Sequence, residues 1–183
     1  RYELKQFINK VSSKWKKVDE TLSTIEVEKI KNIPSNIEIK DIGISIDLDG
    51  EDYSRNDVFG IGLYINNHHY YMEIDDVKND QTIKDLLKDS TIKKYGYDFK
   101  SIIVALNRYD IQIDGIYFDL LIASYLIDSS MNTNVENVMH IFGVDLGNDE
   151  NTLSLFSNNN PTKTCKVAFF SYKLFNKVKK ELD

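Results

Sequence analysis

The sequence contains very little cysteine and proline, with one cysteine and two prolines among 183 residues. A single cysteine, Cys165, excludes an intrachain disulfide and a zinc site built on several cysteines, and it is interpreted as a small buried core thiol. No apolar run approaches the roughly 18 residues that a membrane-spanning helix needs. The polar start, RYELKQFINKVSSKWKK, lacks the apolar stretch of a secretory signal. These absences predict a cytoplasmic protein with no membrane partner.

Positive charge is also scarce in this chain. Its 23 lysines and arginines are outnumbered by 29 aspartates and glutamates, which gives a net charge of −6. A domain that binds nucleic acid on its own normally presents a basic face to the phosphates. If this chain meets DNA, we therefore expect another domain to supply much of the affinity.

The composition that remains is that of an ordinary globular protein, with 42% hydrophobic and 28% charged residues. Residues 1–12 carry apolar positions at helical spacing, and the polar segment 13–41 is typical of a linker with at most a short strand. We expect residues 1–41 to form an N-terminal helix and linker, and residues 42–183 to form one domain.

Three strands are predicted between residues 42 and 77. The segments IGISIDLDG, VFGIGLYIN and HYYMEID alternate or run apolar, and turn-forming clusters separate them. The pattern indicates an antiparallel meander with a tight hairpin at Asn66-Asn67. Gly60 and Gly62, inside the second strand, indicate either a bulge or the close approach of another part of the backbone.

The rest of the chain alternates between helical and strand patterns. Helices are predicted in QTIKDLLKDS, in DFKSIIVALNRYD with Asp98 as its N-cap, in FDLLIASYLID with Asp119 at its start, and in NVENVMHIFG with Gly143 at its end. Short strands are predicted in TIKKYGY and IQIDGI, and a final helix in TKTCKVAFFSYKLFNKVKKELD. This order predicts an α/β domain of three layers with a mixed central sheet, a class that hosts many functions.

Residues 97–128, YDFKSIIVALNRYDIQIDGIYFDLLIASYLID, carry a more specific signal. They resemble the central part of the 3′–5′ exonuclease-type domain of bacterial DNA polymerase I, a family A DNA polymerase. In that family a helix and a glycine precede Phe-Asp, which opens an apolar helix ending Tyr-Leu-Leu-Asp. The matching helix here begins at Phe118-Asp119 and ends YLID, without a gap against the Bacillus-type branch. VFGIGLYIN resembles the family's second strand, and RYELKQFINKV resembles the segment that follows its 5′-nuclease region.

The resemblance implies a ribonuclease H-like fold, with three antiparallel strands followed by parallel strands and helices on both sides. It also implies a place between the 5′-nuclease and polymerase domains of a DNA-directed DNA polymerase, which acts in DNA replication and repair and supplies the contact with DNA. Active members of the family hydrolyse a 3′-terminal phosphodiester with two metal ions, Mg²⁺ or Mn²⁺, held by carboxylates.

The family's first metal-binding motif is Asp-x-Glu on the first strand, and the matching stretch here is Asp47-Leu48-Asp49. A period of two puts both carboxylates on one face of a strand, so Asp47 and Asp49 are candidate metal ligands. They are equally interpreted as polar residues at the end of a strand. An isolated pair could bind one divalent ion without supporting efficient hydrolysis.

The other two motifs depart from the family pattern. The family's helical aspartate falls on Ile102, which has no capacity to bind a metal. Asp98 lies four residues upstream, about 6 Å along a helix, and is interpreted as an N-cap. The third motif, Tyr-x-x-x-Asp on the last helix, is matched by Tyr172 and Asn176, and an asparagine supplies no anionic oxygen.

We therefore expect an exonuclease-type domain without 3′–5′ exonuclease activity, which needs no cofactor and serves as a scaffold for the polymerase domain. Its vestigial candidates are Asp47, Asp49, Asp98 and Tyr172. Two alternatives stay open. An active proofreading nuclease would hold Mg²⁺ or Mn²⁺ on Asp47, Asp49 and Asp98, and an unrelated α/β interaction module would show another strand order.

Overall fold

The computed structural model describes residues 24–127, 129–130, 132–146 and 159–182. The helix predicted over residues 1–12 lies outside the described residues. So does most of the Asn-rich stretch that precedes the last helix.

The described residues form a six-stranded mixed sheet with the strand order β1-β4-β3-β2-β5-β6. The three central strands pair antiparallel and β1, β5 and β6 pair parallel to their neighbours, which confirms the predicted mixed sheet. The edge strand β1 lies inside the segment predicted to be a linker, and the domain boundary at residue 42 stays a prediction. The strands are β1 Val27–Lys29, β2 Asp41–Leu48, β3 Val58–Ile65, β4 His68–Glu73, β5 Lys93–Gly96 and β6 Ile116–Asp119.

The tight hairpin predicted between β3 and β4 is confirmed. Asn66 and Asn67 have positive φ angles of 48° and 68°, the conformation of a two-residue turn that matches the twist of antiparallel strands. The Tyr64 hydroxyl donates a hydrogen bond of 2.8 Å to the Asn67 side-chain oxygen and fixes the turn.

Six helices are present among the described residues, and their polar ends follow the predicted caps. The Asp98 carboxylate accepts a hydrogen bond from the backbone N–H of Ser101, and Gly143 follows the fifth helix with a φ of 76°. No helix in the described ranges is long and apolar enough to cross a membrane. The helices are α1 Ile74–Asn79, α2 Gln81–Lys88, α3 Phe99–Asn107, α4 Leu120–Ile127, α5 Val135–Ile141 and α6 Pro161–Leu182.

The strand predicted in IQIDGI, residues 111–116, is wrong. Residues 111–115 form an irregular connection, and the strand begins at Ile116. Positive φ angles at Asp110 (58°) and Gly115 (70°) bend the chain at both ends of that connection. Ile111 and Ile113 still pack against the core, so the apolar alternation reflects two buried side chains without a strand between them.

The sheet separates two hydrophobic cores, which confirms the three-layer arrangement. Alternate side chains of β2 and β3, including Ile42, Ile44, Ile61 and Leu63, pack against α1, α2 and α3. The opposite face packs against α5 and α6 through a second cluster, which includes Tyr64, Met139, Phe142, Phe170 and Leu174. The sheet is therefore covered by helices on both faces.

Gly60 and Gly62 of β3 have no side chain, and other parts of the chain approach the α6 face of the sheet closely at both positions, as predicted. A Cβ atom at Gly62 would lie 2.9 Å from the backbone of both Thr164 and Cys165 in α6. A Cβ atom at Gly60 would lie 2.7 Å from the phenol group of Tyr71, a residue of β4. The absence of a side chain at Gly62 sets the distance between α6 and the sheet. Its absence at Gly60 leaves space for the phenol group of Tyr71.

The substitution Gly62→Ala tests this packing. The added methyl group would overlap backbone atoms of α6, which cannot swing aside as a flexible side chain would. We expect the free energy of unfolding to fall by about 1–3 kcal/mol, the usual cost of overpacking. Urea denaturation measures the loss. Lys100→Ala, an exposed control on α3, should stay within about 0.5 kcal/mol of the parent chain, and equal stability of the two variants would contradict the close packing.

Candidate functional site

A cleft of about 610 Å³ opens where β2 and β5 end, beside the start of α3 and the start of α6. In α/β folds, ligands usually bind in a crevice outside the carboxyl ends of the strands. Of the sequence candidates, Asp47, Asp98 and Ile102 line this cleft, and they are joined by Glu136 and Lys163. The structure therefore brings part of the predicted set together and adds residues that the sequence patterns did not indicate.

Asp47 lies at the centre of the cleft floor, with only 5% of its surface exposed. Its Oδ2 atom accepts two hydrogen bonds, one from the Tyr71 hydroxyl (2.9 Å) and one from the backbone N–H of Asn160 (3.0 Å). Tyr71 reaches Asp47 from β4 by crossing β3 at Gly60, where a side chain would block the phenol ring. One oxygen of the carboxylate is thus bonded by two protein donors.

The surroundings of Asp47 shift the pKa of its carboxyl group. Desolvation raises the pKa of the Asp47 carboxyl, although hydrogen bonds from Tyr71 and Asn160 and the positive charge of Lys163 act in the opposite direction. Burial, followed by the nearby Asp47 charge, also raises the pKa of Tyr71 far above its usual range. Tyr71 therefore remains a protonated donor to Asp47 at any physiological pH.

Asp49 does not join Asp47 in the cleft. The β2–β3 register shifts between Asp47 and Leu48 because β3 carries one extra residue there. Ile46 and Leu48 still pack against the same hydrophobic core, so the alternation along β2 continues as far as Leu48. Asp49 follows the last residue of β2, is exposed, and donates its backbone N–H to Asp57 O at 2.9 Å. The common face of Asp47 and Asp49 and a metal-binding role for Asp49 therefore stay predictions.

The helix α3 presents one capped carboxylate and one apolar side chain to the cleft. The Asp98 carboxylate accepts hydrogen bonds from both the backbone N–H (3.3 Å) and the hydroxyl of Ser101, as expected of an N-cap. One turn further along, Ile102 is 2% exposed and also belongs to the hydrophobic core. The position where the resemblance places a metal-binding aspartate therefore faces the cleft with a hydrocarbon side chain.

The start of α6 faces the cleft, and the middle of that helix does not. Lys163, Thr164 and Val167 line the cleft, and the Lys163 ammonium is hydrogen-bonded to the Glu136 carboxylate. Tyr172 lies two to three turns further on, with its ring centroid 5.1 Å from that of Tyr64, and lines a separate cavity with Asp41 at the beginning of β2.

The candidate pair at the third motif is thus placed away from Asp47. Tyr172 is remote from the cleft, and the side chain of Asn176 lies outside the described part of the chain. Sequence reasoning missed Lys163, Asn160 and Glu136 because a continuous helical stripe on a 22-residue helix does not say which turn meets the strand end. The Asn160-Pro161 pair, an N-cap followed by proline at the first helical position, was the available signal for where α6 begins.

The cleft is acidic in the described residues. Four carboxylates line it, those of Asp47, Glu51, Asp98 and Glu136, against the single ammonium of Lys163. Burial disfavours the charged form of Glu136, but the hydrogen bond from Lys163 and further donors outweigh it, so its pKa is lowered.

The cleft does not fit a pair of metal ions held by carboxylates. Within the described residues, no group of three or more histidine, cysteine, aspartate or glutamate side chains is arranged to hold a metal. Two-metal hydrolysis requires carboxylates that bridge and flank both ions. Here Asp47 is bound by Tyr71 and Asn160, Asp98 caps a helix, and an ammonium lies beside Glu136.

Asp119, at the Phe-Asp motif, has a structural task. Its carboxylate accepts hydrogen bonds from the backbone N–H groups of Asp98 (3.0 Å), Phe99 (2.8 Å) and Leu121 (2.9 Å). It therefore ties the start of α3 to the start of α4, and the predicted capping role is confirmed.

The mixed sheet between two helical layers is that of a ribonuclease H-like fold. The structure titled NrnC from Brucella melitensis with bound Mg²⁺ matches with a TM-score of 0.66 and 14% identity over 87% of this chain and 82% of that chain. Escherichia coli RNase D, an exoribonuclease, matches with a TM-score of 0.53 and 14% identity over 79% of this chain and 39% of its own. At these identities the likeness shows the fold.

The model of the family described as DNA polymerase I, ribonuclease H-like domain, matches residues 44–152, and the chain belongs to that family. DNA polymerase I of Bacillus subtilis is 24% identical over 110 residues, which cover 60% of this chain and 12% of the relative. That of Geobacillus stearothermophilus is 31% identical over 83 residues, 45% of this chain and 10% of the relative. The resemblance to the exonuclease-type domain is confirmed, and the alternative of an unrelated interaction module is wrong.

Asp47→Asn tests the energetics of the buried carboxylate. The raised pKa means that the folded protein disfavours the ionised form, so stability is highest below the unfolded value, about 3.9, and is lost as the pH rises through the folded value. The amide oxygen of asparagine can accept both hydrogen bonds now made to Oδ2. We expect Asp47→Asn to be more stable at pH 7 than the parent chain.

Thermal unfolding between pH 3.5 and pH 7 measures this difference, which should shrink as the pH is lowered. Glu51→Gln is the matched control, because Glu51 lines the same cleft but is exposed. A stability difference for Asp47→Asn that does not vary with pH would contradict the account.

Proposed function

We propose that this chain is a non-catalytic, exonuclease-like domain that serves as a scaffold for the polymerase domain of a DNA polymerase I. The observation that carries the proposal is the pair of side chains that line the cleft from α3 and α6. Ile102 occupies the position where the resemblance places a metal-binding aspartate, and the Lys163 ammonium lines the same cleft. A hydrocarbon and an ammonium both work against metal binding at these positions.

The acidic cleft also supports the absence of a nuclease role. In a two-metal nuclease, the cations neutralise the carboxylates and attract the phosphodiester. Without cations, the carboxylates that line this cleft repel a phosphate group, and one ammonium does not offset them. The net charge of −6 has the same sign. Contact with DNA is therefore proposed to come through the parent protein.

The partners in this proposal are the 5′-nuclease and polymerase domains of the parent chain. The matched segments cover 12% and 10% of the two DNA polymerase I relatives, which leaves room in such proteins for those domains. An N-terminal helix and linker in residues 1–41, and a cytoplasmic location, stay predictions that accord with this assignment.

The competing candidate is an active proofreading 3′–5′ exonuclease with Mg²⁺ or Mn²⁺ on Asp47, Asp49 and Asp98. Its favourable feature is that Asp47 and Asp98 line one cleft. Against it, Asp49 does not line the cleft, and the Asp98 carboxylate is occupied in capping α3. The non-catalytic function is therefore better supported.

A nuclease assay separates the two candidates. The 183-residue chain is incubated with a 5′-labelled single-stranded oligonucleotide in Mg²⁺ or Mn²⁺, and the products are separated on a denaturing gel. We expect no shortening from the 3′ end. Robust degradation that disappears in Asp47→Ala would contradict the proposal, whereas degradation that survives Asp47→Ala would identify a contaminating nuclease.

A further inference from the structure

The position of Lys163 is electrostatically unusual for a helix. It lies in the first turn of α6, a 22-residue helix with no acidic residue in that turn. The partial positive charge at a helix N-terminus disfavours a cation there. A lysine at this position therefore needs a compensating interaction with negative charge.

The compensation comes from two carboxylates on different elements. The Lys163 ammonium is hydrogen-bonded to Glu136 in the first turn of α5, and its charge also acts on Asp47 at the end of β2. Among the described residues that line the cleft, Lys163 is the only cation, and four carboxylates line the same cleft. The ammonium is thus the counter-ion of a cleft whose other charges are all negative.

Neighbouring backbone holds the lysine at this position. Asn160 donates its N–H to Asp47 and accepts a hydrogen bond of 2.9 Å from the Lys163 N–H through its side-chain oxygen. The first turn of α6 is therefore tied directly to Asp47. Glu136 lies after Asn134, which caps α5 through hydrogen bonds to the Glu136 and Asn137 N–H groups.

We propose that the Lys163 ammonium is a built-in replacement for a metal ion, and that removing it exposes a site for one divalent cation between Asp47 and Glu136. This inference rests on the proposed non-catalytic function and says what stabilises the cleft in place of metal. Hard divalent cations prefer carboxylate oxygens. The ammonium opposes their binding because it is hydrogen-bonded to Glu136 and because its positive charge, which also acts on Asp47, repels a second cation.

The test compares Mn²⁺ binding by the parent chain, Lys163→Met and Lys173→Met. Methionine keeps most of the unbranched apolar stem and removes the charge. Lys173, an exposed residue of the same helix beside the Tyr64 and Phe169 rings, provides a control with the same change in net charge. Isothermal titration and electron paramagnetic resonance of free Mn²⁺ both measure binding without reference to nuclease activity.

We expect Lys163→Met to bind one Mn²⁺ at least about tenfold more tightly than the other two proteins, since a repulsive neighbouring charge is removed. Addition of Mn²⁺ should then raise the melting temperature of Lys163→Met alone. Lys163→Arg, which retains a cation, should behave as the parent chain, and adding Asp47→Asn to Lys163→Met should abolish the new binding.

Two results would overturn the inference: tight Mn²⁺ binding by the parent chain, or binding by Lys163→Met no tighter than by Lys173→Met. If Lys163→Met does not fold, Lys163→Gln replaces it and the same comparisons decide. A parent chain that binds Mn²⁺ tightly yet leaves the oligonucleotide intact would remove this inference and leave the non-catalytic function standing.

Discussion

The close contact of α6 with the central strands is the constraint on which the rest of the structure depends. Gly43 of β2 and Gly62 of β3 have no side chain where the helix crosses, and a Cβ at Gly43 would lie 2.5 Å from Ala168 O. This contact allows the first turn of α6 to descend onto the end of β2, where Asn160 meets Asp47. The second hydrophobic core and the wall of the cleft follow from the same placement.

Asp47 illustrates how neighbouring donors and a nearby positive charge compensate a buried carboxylate. Asp47 loses hydration on burial and recovers part of that loss from the Tyr71 hydroxyl, the Asn160 N–H and the charge of Lys163. Each donor comes from a different element, so the arrangement requires β4, the loop before α6 and α6 itself to be in place. Asp47 thereby links distant parts of the chain through its Oδ2 atom.

The sequence predicted those features that are encoded locally. The alternation of apolar residues and the Asn66-Asn67 turn determine the β3–β4 hairpin. Asp98 determines where α3 begins, because its side chain caps that helix. Features that depend on long-range geometry were not predictable: the extra residue of β3 opposite Asp47 and Leu48, and the turn of α6 that brings Lys163 to the cleft. The strand expected over residues 111–116 failed because two buried isoleucines produce the same alternation as a strand.

Asp119 of the Phe-Asp motif has a purely structural role in this chain. The carboxylate holds three backbone N–H groups at the junction of α3 and α4, and this task is independent of what the neighbouring cleft contains. The Phe-Asp signature can therefore outlast the chemistry beside it. A catalogue of nucleases compiled from that signature would include inert domains such as the one proposed here, and only the side chains that line the cleft separate the two groups.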